Sequence, residues 1–347
     1  MFVPNRWYVA GWDSEIGRTP LARTICGEPV VLYRKLDGAA VAMRDACPHR
    51  LFPLSKGILE DDNLRCLYHG FMFDAGGACV ETPAVGVAAR NLHVQTYPVV
   101  ERYRFVWVWI GDPDKADPAR MPDLWQCEHA DWTFDGDYYH MACDYRLGID
   151  NLMDLTHETH VHASSIGQPE IMESPIETTV EDGQVFVKRW MLGVDPPPFW
   201  KYALRKEGKV DRWQICQFIP PGTVIIDVGV APEGTGAPEG DRSQGVNGYV
   251  IDFLTPETET THHYFWGMAR NFGIKDLGFT QRFKEQQGTV FMQDKEVLEA
   301  QQAAILANPQ MRLRAFNIDV GGVRSRMLID QAIRAEMGDD QSELVEG

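Results

Sequence analysis

The chain reads as an α+β protein of two domains, a small all-β one followed by a mixed one in which a series of strands precedes a long helix. Three observations carry that reading. From Trp7 to about Ile110, short β-rich runs alternate with Gly, Pro and Asp turns. The stretch Gly111-Asp-Pro-Asp-Lys-Ala-Asp-Pro that follows is polar and proline-bearing, as domain boundaries are. Beyond it come alternating strand-like runs and a helical pattern from about Leu277 to Ala307. With 347 residues, 44% of them hydrophobic, the chain can bury two cores.

In the first part, residues 1–112, the β-rich runs are Trp7 to Ala10, Val30 to Tyr33, Val41 to Arg44 and Phe105 to Ile110. In the second, residues 113–347, a histidine-bearing helical run precedes strands near Val185 to Trp190, Trp213 to Phe218, Thr223 to Val230, Gly248 to Leu254 and His262 to Ala269. The segment Ala231-Pro-Glu-Gly-Thr-Gly-Ala-Pro-Glu-Gly is a flexible loop by composition, Ser342 to Gly347 is expected to fray, and no internal repeat is visible. The N-terminus has no apolar segment behind a basic start, and the longest strongly apolar run, Phe105 to Ile110, cannot span a bilayer. A soluble cytoplasmic protein is expected. The formal charge of −17 and the absence of a Lys/Arg run argue against nucleic-acid or anionic-membrane partners, while an acidic face could recruit a basic protein. Seven scattered cysteines do not form the dense pairing of a secreted scaffold.

Two of those cysteines belong to a metal pattern. Cys47-Pro-His49 and Cys66-Leu-Tyr-His69 each place one Cys and one His on a short loop flanked by Pro or Gly. Thiolate and imidazole are ligands for zinc as well as for iron–sulfur clusters. Structural zinc sites of this composition usually put two Cys on one knuckle and two His on a helix. One Cys and one His per loop suits instead a cluster with His₂ on one iron and Cys₂ on the other.

A second pattern lies in Asn151-Leu-Met-Asp-Leu-Thr-His-Glu-Thr-His-Val-His162. If this is one helical run, Asn151, Asp154 and His157 fall three apart on one face, with Leu147, Leu152 and Leu155 free to face the core. Hydrogen-bonded core histidines are the ordinary reading of any one of these; three within six residues point to metal. An oxygen-activating mononuclear iron takes two His and one carboxylate. On the late helix, Phe283, Val290, Phe291, Val297, Leu298 and Ile305 form an apolar arc with Asp294 in its middle. A core-facing Asp is costly unless its charge is compensated, by a buried Arg, a backbone cap or a metal, and Asp294 is taken as the third ligand. Ideal helix geometry pairs His157 with His160, since His157 and His162 would stand about 140° apart.

Taken together, Cys47-Pro-His49-Arg50, Cys66-x-x-His69-Gly70 and Asp154-x-x-His157-x-x-x-x-His162 resemble the Rieske non-haem iron oxygenases. Asn151 to Glu158, Val161 to Gly167, Pro198-Phe-Trp, Asp211 to Cys216, Tyr264 to Phe272 and Asn317 to Val323 are similar to oxygenase components of the vanillate O-demethylase family, over essentially the whole chain. The resemblance implies a [2Fe-2S] cluster held by Cys47, Cys66, His49 and His69, and a mononuclear Fe(II) held by His157, His162 and Asp294. It prefers His162 to His160, which stands where relatives commonly carry an aromatic residue. Asp154 is implied to carry electrons between His157 and the cluster His69 of a neighbouring subunit in a homotrimer. The second domain is implied to be a helix-grip fold, a curved antiparallel sheet closed by the long helix. The implied reaction is oxidative demethylation of a vanillate-like methoxylated aromatic acid to a phenol and formaldehyde, using O₂ and electrons from NADH through a flavin and iron–sulfur reductase. Aryl sulfonates and chlorinated methoxybenzoates are alternative substrates, and a Rieske electron carrier fused to a ligand-binding module is the alternative of another class. Arg212 and Arg270 lie in strand-like stretches, but structural ion pairs explain buried Arg more often than substrate binding, so neither is assigned to the substrate.

Overall fold

The computed structural model describes residues 1–83, 91–162 and 174–338. The chain divides into two compact units, Met1–Met121 with Thr255–Thr258, and Pro122–Leu254 with Glu259–Gly347.

Among its described residues the first unit is all β apart from short 3₁₀ turns. Its strands are β1 (Arg6–Trp12), β2 (Leu21–Ile25), β3 (Glu28–Arg34), β4 (Ala40–Arg44), β5 (Ile58–Glu60), β6 (Asn63–Arg65), β7 (Met72–Phe73), β8 (Cys79–Glu81), β9 (Thr96–Tyr97), β10 (Val99–Arg102) and β11 (Phe105–Ile110). They form three antiparallel sheets, ordered β1-β11-β10, β2-β3-β4-β9 and β5-β6-β7-β8. The continuous apolar run Val30 to Tyr33 has a simple cause. Side chains alternate along a strand, so Val30 and Leu32 enter one core with Tyr8, Ile25, Val106 and Val108, while Val31 and Tyr33 enter another with Met43, Leu64 and Phe73. Cys47 and Cys66 belong to that second core.

The second unit is built on a seven-stranded sheet, in the order β12 (Thr133–Met141), β18 (Thr261–Arg270), β17 (Val246–Thr258), β16 (Thr223–Pro232), β15 (Val210–Ile219), β14 (Gln184–Val194) and β13 (Ile176–Glu181). Among the described residues the helices are α1 (Tyr145–Leu152), α2 (Pro198–Leu204), α3 (Leu277–Ala307) and α4 (Val320–Met337). The long helix α3 lies on the sheet, where Phe291 meets the rings of Tyr264 and Trp266 at 5.4 and 4.9 Å. Its buried face runs through Phe279, Phe291, Asp294, Leu298 and Gln302 and is narrower than the apolar arc read from sequence: Val297, one residue off that face, is exposed. Among the described residues, no helix is long and apolar enough to cross a membrane.

Two expectations change. The run Asn151 to His162 is not one helix: α1 ends at Leu152, Met153 caps it, and a separate 3₁₀ turn spans His157–Thr159. The break is chemical, because Asp154 Oδ1 accepts from both the backbone N–H and the hydroxyl of Thr156, each at 2.6 Å, so its side chain competes with the helix for backbone donors. The Gly-rich segment after β16 is also better held than its composition suggests. Gly234 N–H donates to Asp211 Oδ2 at 2.9 Å, and Ala237 is fully buried against Trp213 and Ala231. The Val161 to Gly167 motif, from residue 163 on, and the Ser342 to Gly347 tail lie outside the described residues.

The Gly321-Gly322 pair opens α4 where that helix crosses the end of α1. A Cβ at Gly321 would stand 2.4 Å from the Met153 carbonyl oxygen, and one at Gly322 would stand 2.7 Å from Asp150 Oδ1. Arg326 then grips Asp150 with bonds of 2.6 to 3.0 Å. Two glycines therefore let α4 seat directly on the last turn of α1 and its cap.

Candidate metal centres

The two loops of the first unit share one backbone plan. Cys47 N–H donates to Phe52 O at 2.9 Å and Leu51 N–H to Cys47 O at 2.8 Å; Cys66 N–H donates to Phe71 O at 2.8 Å and Gly70 N–H to Cys66 O at 2.9 Å. Each loop turns through a left-handed residue four after its Cys, Leu51 at φ 58° and Gly70 at φ 78°. Gly takes that conformation freely, whereas for Leu51 it costs about 1 kcal/mol, strain that the surrounding bonds hold in place. Side chains outside the loops fix their ends. Asp45 accepts from Ser55 N–H and Oγ–H at 2.6 Å each, and Arg65 donates to Gly70 O at 3.0 Å while paired with Glu60 and Glu81. The sulfurs are buried and the imidazoles exposed, with the His49 and His69 rings 4.5 Å apart. Burial, reinforced by the neighbouring Cys66, pushes the Cys47 thiol up to about 11; iron reverses that preference, because coordination deprotonates a thiol.

Among the described residues, metal-binding atoms of three side chains converge within 4.8 Å at one place: His157, His162 and Asp294.

In the second unit the 3₁₀ turn presents His157, and His162 follows five residues later, its N–H bonded to Glu158 O at 3.2 Å. Asp294 enters from α3. Its Oδ1 lies 3.5 Å from His157 Nε2 and 3.2 Å from His162 Nε2, and the two rings stand 5.1 Å apart. The Nδ1 atoms are already committed, that of His157 to the Asp154 carbonyl at 2.6 Å and that of His162 to Gln293 Oε1 at 2.9 Å. Both partners are acceptors, so each Nδ1 carries the proton and each Nε2 lone pair faces Asp294. Two oriented neutral imidazoles and a buried carboxylate are the donor set of a two-His-one-carboxylate iron. In the absence of metal, burial lowers the His162 pKa, but the Asp294 carboxylate, which accepts from a protonated Nε2 and attracts its charge, more than offsets it together with Gln293, and the net shift is upward. His160 is exposed and stands outside this group.

Further residues support the site, of which the sequence singled out Asn151 alone. Asn151 Nδ2 donates to Asp294 Oδ1 at 3.0 Å. Buried Glu158 accepts from Gln214 Nε2 at 2.8 and 3.0 Å, and buried Arg189 donates to Leu155 O at 2.8 Å, tying the histidine turn to β14 and β15. One signal was available: Arg189 continues the inward stripe Val185, Val187 as a charge among apolar residues. The role of Gln293 had none. Arg270 is structural, donating to Phe272 O and Thr280 Oγ1 beneath the Phe279 ring; Arg212 is buried on β15.

The chain is similar to known proteins over most of its length. Residues 6–98 match the Rieske [2Fe-2S] domain and residues 141–335 the vanillate O-demethylase oxygenase C-terminal domain. The vanillate O-demethylase oxygenase subunit of Pseudomonas sp. strain HR199 is 47% identical over 97% of this chain and 96% of its own length. The dicamba O-demethylase oxygenase component of Stenotrophomonas maltophilia is 38% identical over 94% of this chain and 93% of its own. A crystal structure of dicamba monooxygenase with non-heme iron and dicamba superposes with a TM-score of 0.83 at 36% identity, covering 97% of this chain and 98% of that one. Loops built for a Rieske cluster, a two-His-one-carboxylate site and these likenesses along nearly the whole length lead to one conclusion: the chain belongs to the Rieske non-haem iron oxygenases, in the vanillate O-demethylase oxygenase family.

Proposed function

We propose that this chain is the oxygenase component that removes the methyl group of a vanillate-like methoxylated aromatic acid. The balanced reaction is Ar–OCH₃ + O₂ + NADH + H⁺ → Ar–OH + HCHO + NAD⁺ + H₂O, with the electrons delivered by a separate flavin and iron–sulfur reductase. The observation that carries it is the 47% identity to a vanillate O-demethylase oxygenase subunit over 97% of the chain, together with the His157, His162 and Asp294 group.

In this reading residues 1–112 form the Rieske domain and residues 113–347 the catalytic one. Cys47 and Cys66 hold one iron of the cluster, His49 and His69 the other. His157, His162 and Asp294 hold the mononuclear iron, which when bound supplies the oxygen-activating chemistry. The chain's own residues orient those ligands: the Asp154 carbonyl and Gln293 set the two imidazoles, and Asn151 sets Asp294. The Asp154 carboxylate, 3.9 Å from His157 Nδ1, is the link in electron delivery. A cytoplasmic homotrimer completes the proposal.

The test is a panel of methoxybenzoates, aryl sulfonates and plain benzoates supplied with NADH and a compatible reductase, scored for formaldehyde and oxygen uptake. Formaldehyde in proportion to NADH from vanillate is the expected result. Ring hydroxylation without formaldehyde would reject the demethylase reading and keep the oxygenase. Iron confined to the cluster would mark an electron carrier instead.

A further inference from the structure

Arg189, Gln214 and Glu158 are buried together against the histidine turn, exposed by only 2, 4 and 6%, and none of them belongs to the His157, His162 and Asp294 group. Arg189 and Gln214 are direct cross-strand partners on β14 and β15. Arg189 Nη1 donates to Gln214 Oε1 at 3.3 Å, and Gln214 Nε2 donates in turn to both Glu158 carboxylate oxygens, at 2.8 and 3.0 Å. The same Nη1 stands 4.0 Å from Glu158 Oε2, while Nη2 donates to Leu155 O at 2.8 Å. One strand pair therefore grips the turn at two points, the Leu155 carbonyl and the Glu158 side chain, with His157 between them.

Stability does not account for this set. A buried ion pair is commonly no more stabilising than apolar side chains of similar volume, because desolvation offsets the attraction. The Arg189 Nε N–H has no hydrogen-bond partner among the described residues, a further cost to the fold. What the charged groups supply is direction, and the gripped points lie where the two histidines take their orientation. His157 Nδ1 donates to the Asp154 carbonyl at 2.6 Å, one residue before Leu155. The His162 backbone N–H donates to the Glu158 carbonyl at 3.2 Å. None of the Arg189 and Gln214 bonds uses a metal-facing atom, so they hold the turn whether or not an ion is bound.

We propose that Arg189, Gln214 and Glu158 are positioning residues that preform the His157 to His162 turn for iron, and that this buried set serves the geometry of the site rather than the stability of the fold. The inference rests on the ligand assignment above and goes beyond it by naming what arranges the turn before metal arrives. Ligands already in place lose little freedom when an ion binds, whereas a loose turn must be ordered first and binds more weakly. Apolar replacement of the whole set therefore separates two properties that fall together when a merely structural contact is lost. The fold persists and the metal affinity drops.

The experiment uses the full chain with its cluster intact and the mononuclear site stripped by a chelator. The variants are the triple replacement Arg189→Met, Gln214→Met and Glu158→Leu, and the single change Arg189→Lys. Three quantities are read: the anaerobic Kd for Fe(II), the melting temperature, and amide hydrogen exchange of the metal-free protein, peptide by peptide. The triple variant is expected to melt no lower than the native protein and to keep the Rieske EPR signal. Its Fe(II) affinity should fall by about 10- to 100-fold, and exchange should quicken by at least about tenfold at His160 to His162 while the sheet is unchanged. Arg189→Lys keeps the charge, but one ammonium cannot hold Gln214 and Leu155 as the planar fork does, so a loss of about 3- to 10-fold is expected. That variant carries the test if the triple replacement does not fold. Unchanged Fe(II) affinity and turn exchange would overturn the proposal, as would exchange quickened throughout the second unit with a lowered melting temperature, the mark of a structural role. Should the native protein bind no mononuclear iron, the ligand assignment falls, and the exchange of the metal-free turn still decides whether this set preforms it.

Discussion

Asn151 donates a 3.0 Å hydrogen bond to Asp294, on the same oxygen that lies 3.2 Å from His162 Nε2. The last turn of α1 thus orients a carboxylate supplied by α3, 143 residues further along the chain. Replacing Asn151 by Ala leaves Asp294 free to rotate. Loss of an outer hydrogen-bond partner of a metal ligand weakens metal affinity by about 10- to 100-fold. Asn151→Ala is expected to retain the Rieske EPR signal and lose mononuclear iron, measured by metal analysis at graded Fe(II).

The same geometry separates two histidines that are close in sequence. His162→Ala should abolish mononuclear iron binding and keep the cluster, whereas His160→Ala, at an exposed position, should retain both. Iron content per chain decides it, and loss of iron in the His160 variant with retention in the His162 variant would reverse the ligand assignment.

Asp154→Asn tests electron delivery. The amide keeps an acceptor for the Thr156 N–H and hydroxyl, so the turn before His157 survives. Iron and cluster content should match the native protein, the cluster should still be reduced by the reductase, and turnover should fall by at least about 100-fold. Loss of iron would assign Asp154 to ligand support.

Gly321→Ala should destabilise the second unit. Its new Cβ would meet the Met153 carbonyl at 2.4 Å, and backbone cannot swing aside as a flexible side chain can. Overpacking of this kind costs about 1 to 3 kcal/mol. A lowered unfolding temperature, accompanied by weaker iron retention because Met153 precedes Asp154, is the expected result; an unchanged melting curve would show that α4 shifts to make room.

The Asp252 carboxyl gives a pH signature. Burial raises its folded pKa to about 8 from the ordinary 3.8, so the folded state holds a proton that the unfolded state releases. That contribution to stability is complete below about pH 4 and is lost as pH rises toward about 8. Asp252→Asn removes the titration. Its stability relative to the native protein should therefore climb between these limits and level off above them, read from denaturant midpoints across the range.

The sequence by itself determined what is local. Each of these two loops carries its Cys, its His and its turn within a few residues, so the spacing singled out Cys47, His49, Cys66 and His69 as candidates, and the left-handed turn was legible at Gly70 although not at Leu51. The helix Leu277–Ala307 and its buried Asp294 were legible too, because a helical period repeats over many turns and a carboxylate inside it stands out. The tertiary structure decided the rest. Geometry on an ideal helix favoured His160, whereas the structure groups His162 with His157 and Asp294, because Asp154 accepts from Thr156 and the helical run ends before His157. Gln293, Asn151, Arg189 and Asp252 act through partners on other elements, up to 143 residues away in sequence. No period or motif records such a pairing, since which side chains meet is settled only when α3, α4 and the sheet pack together.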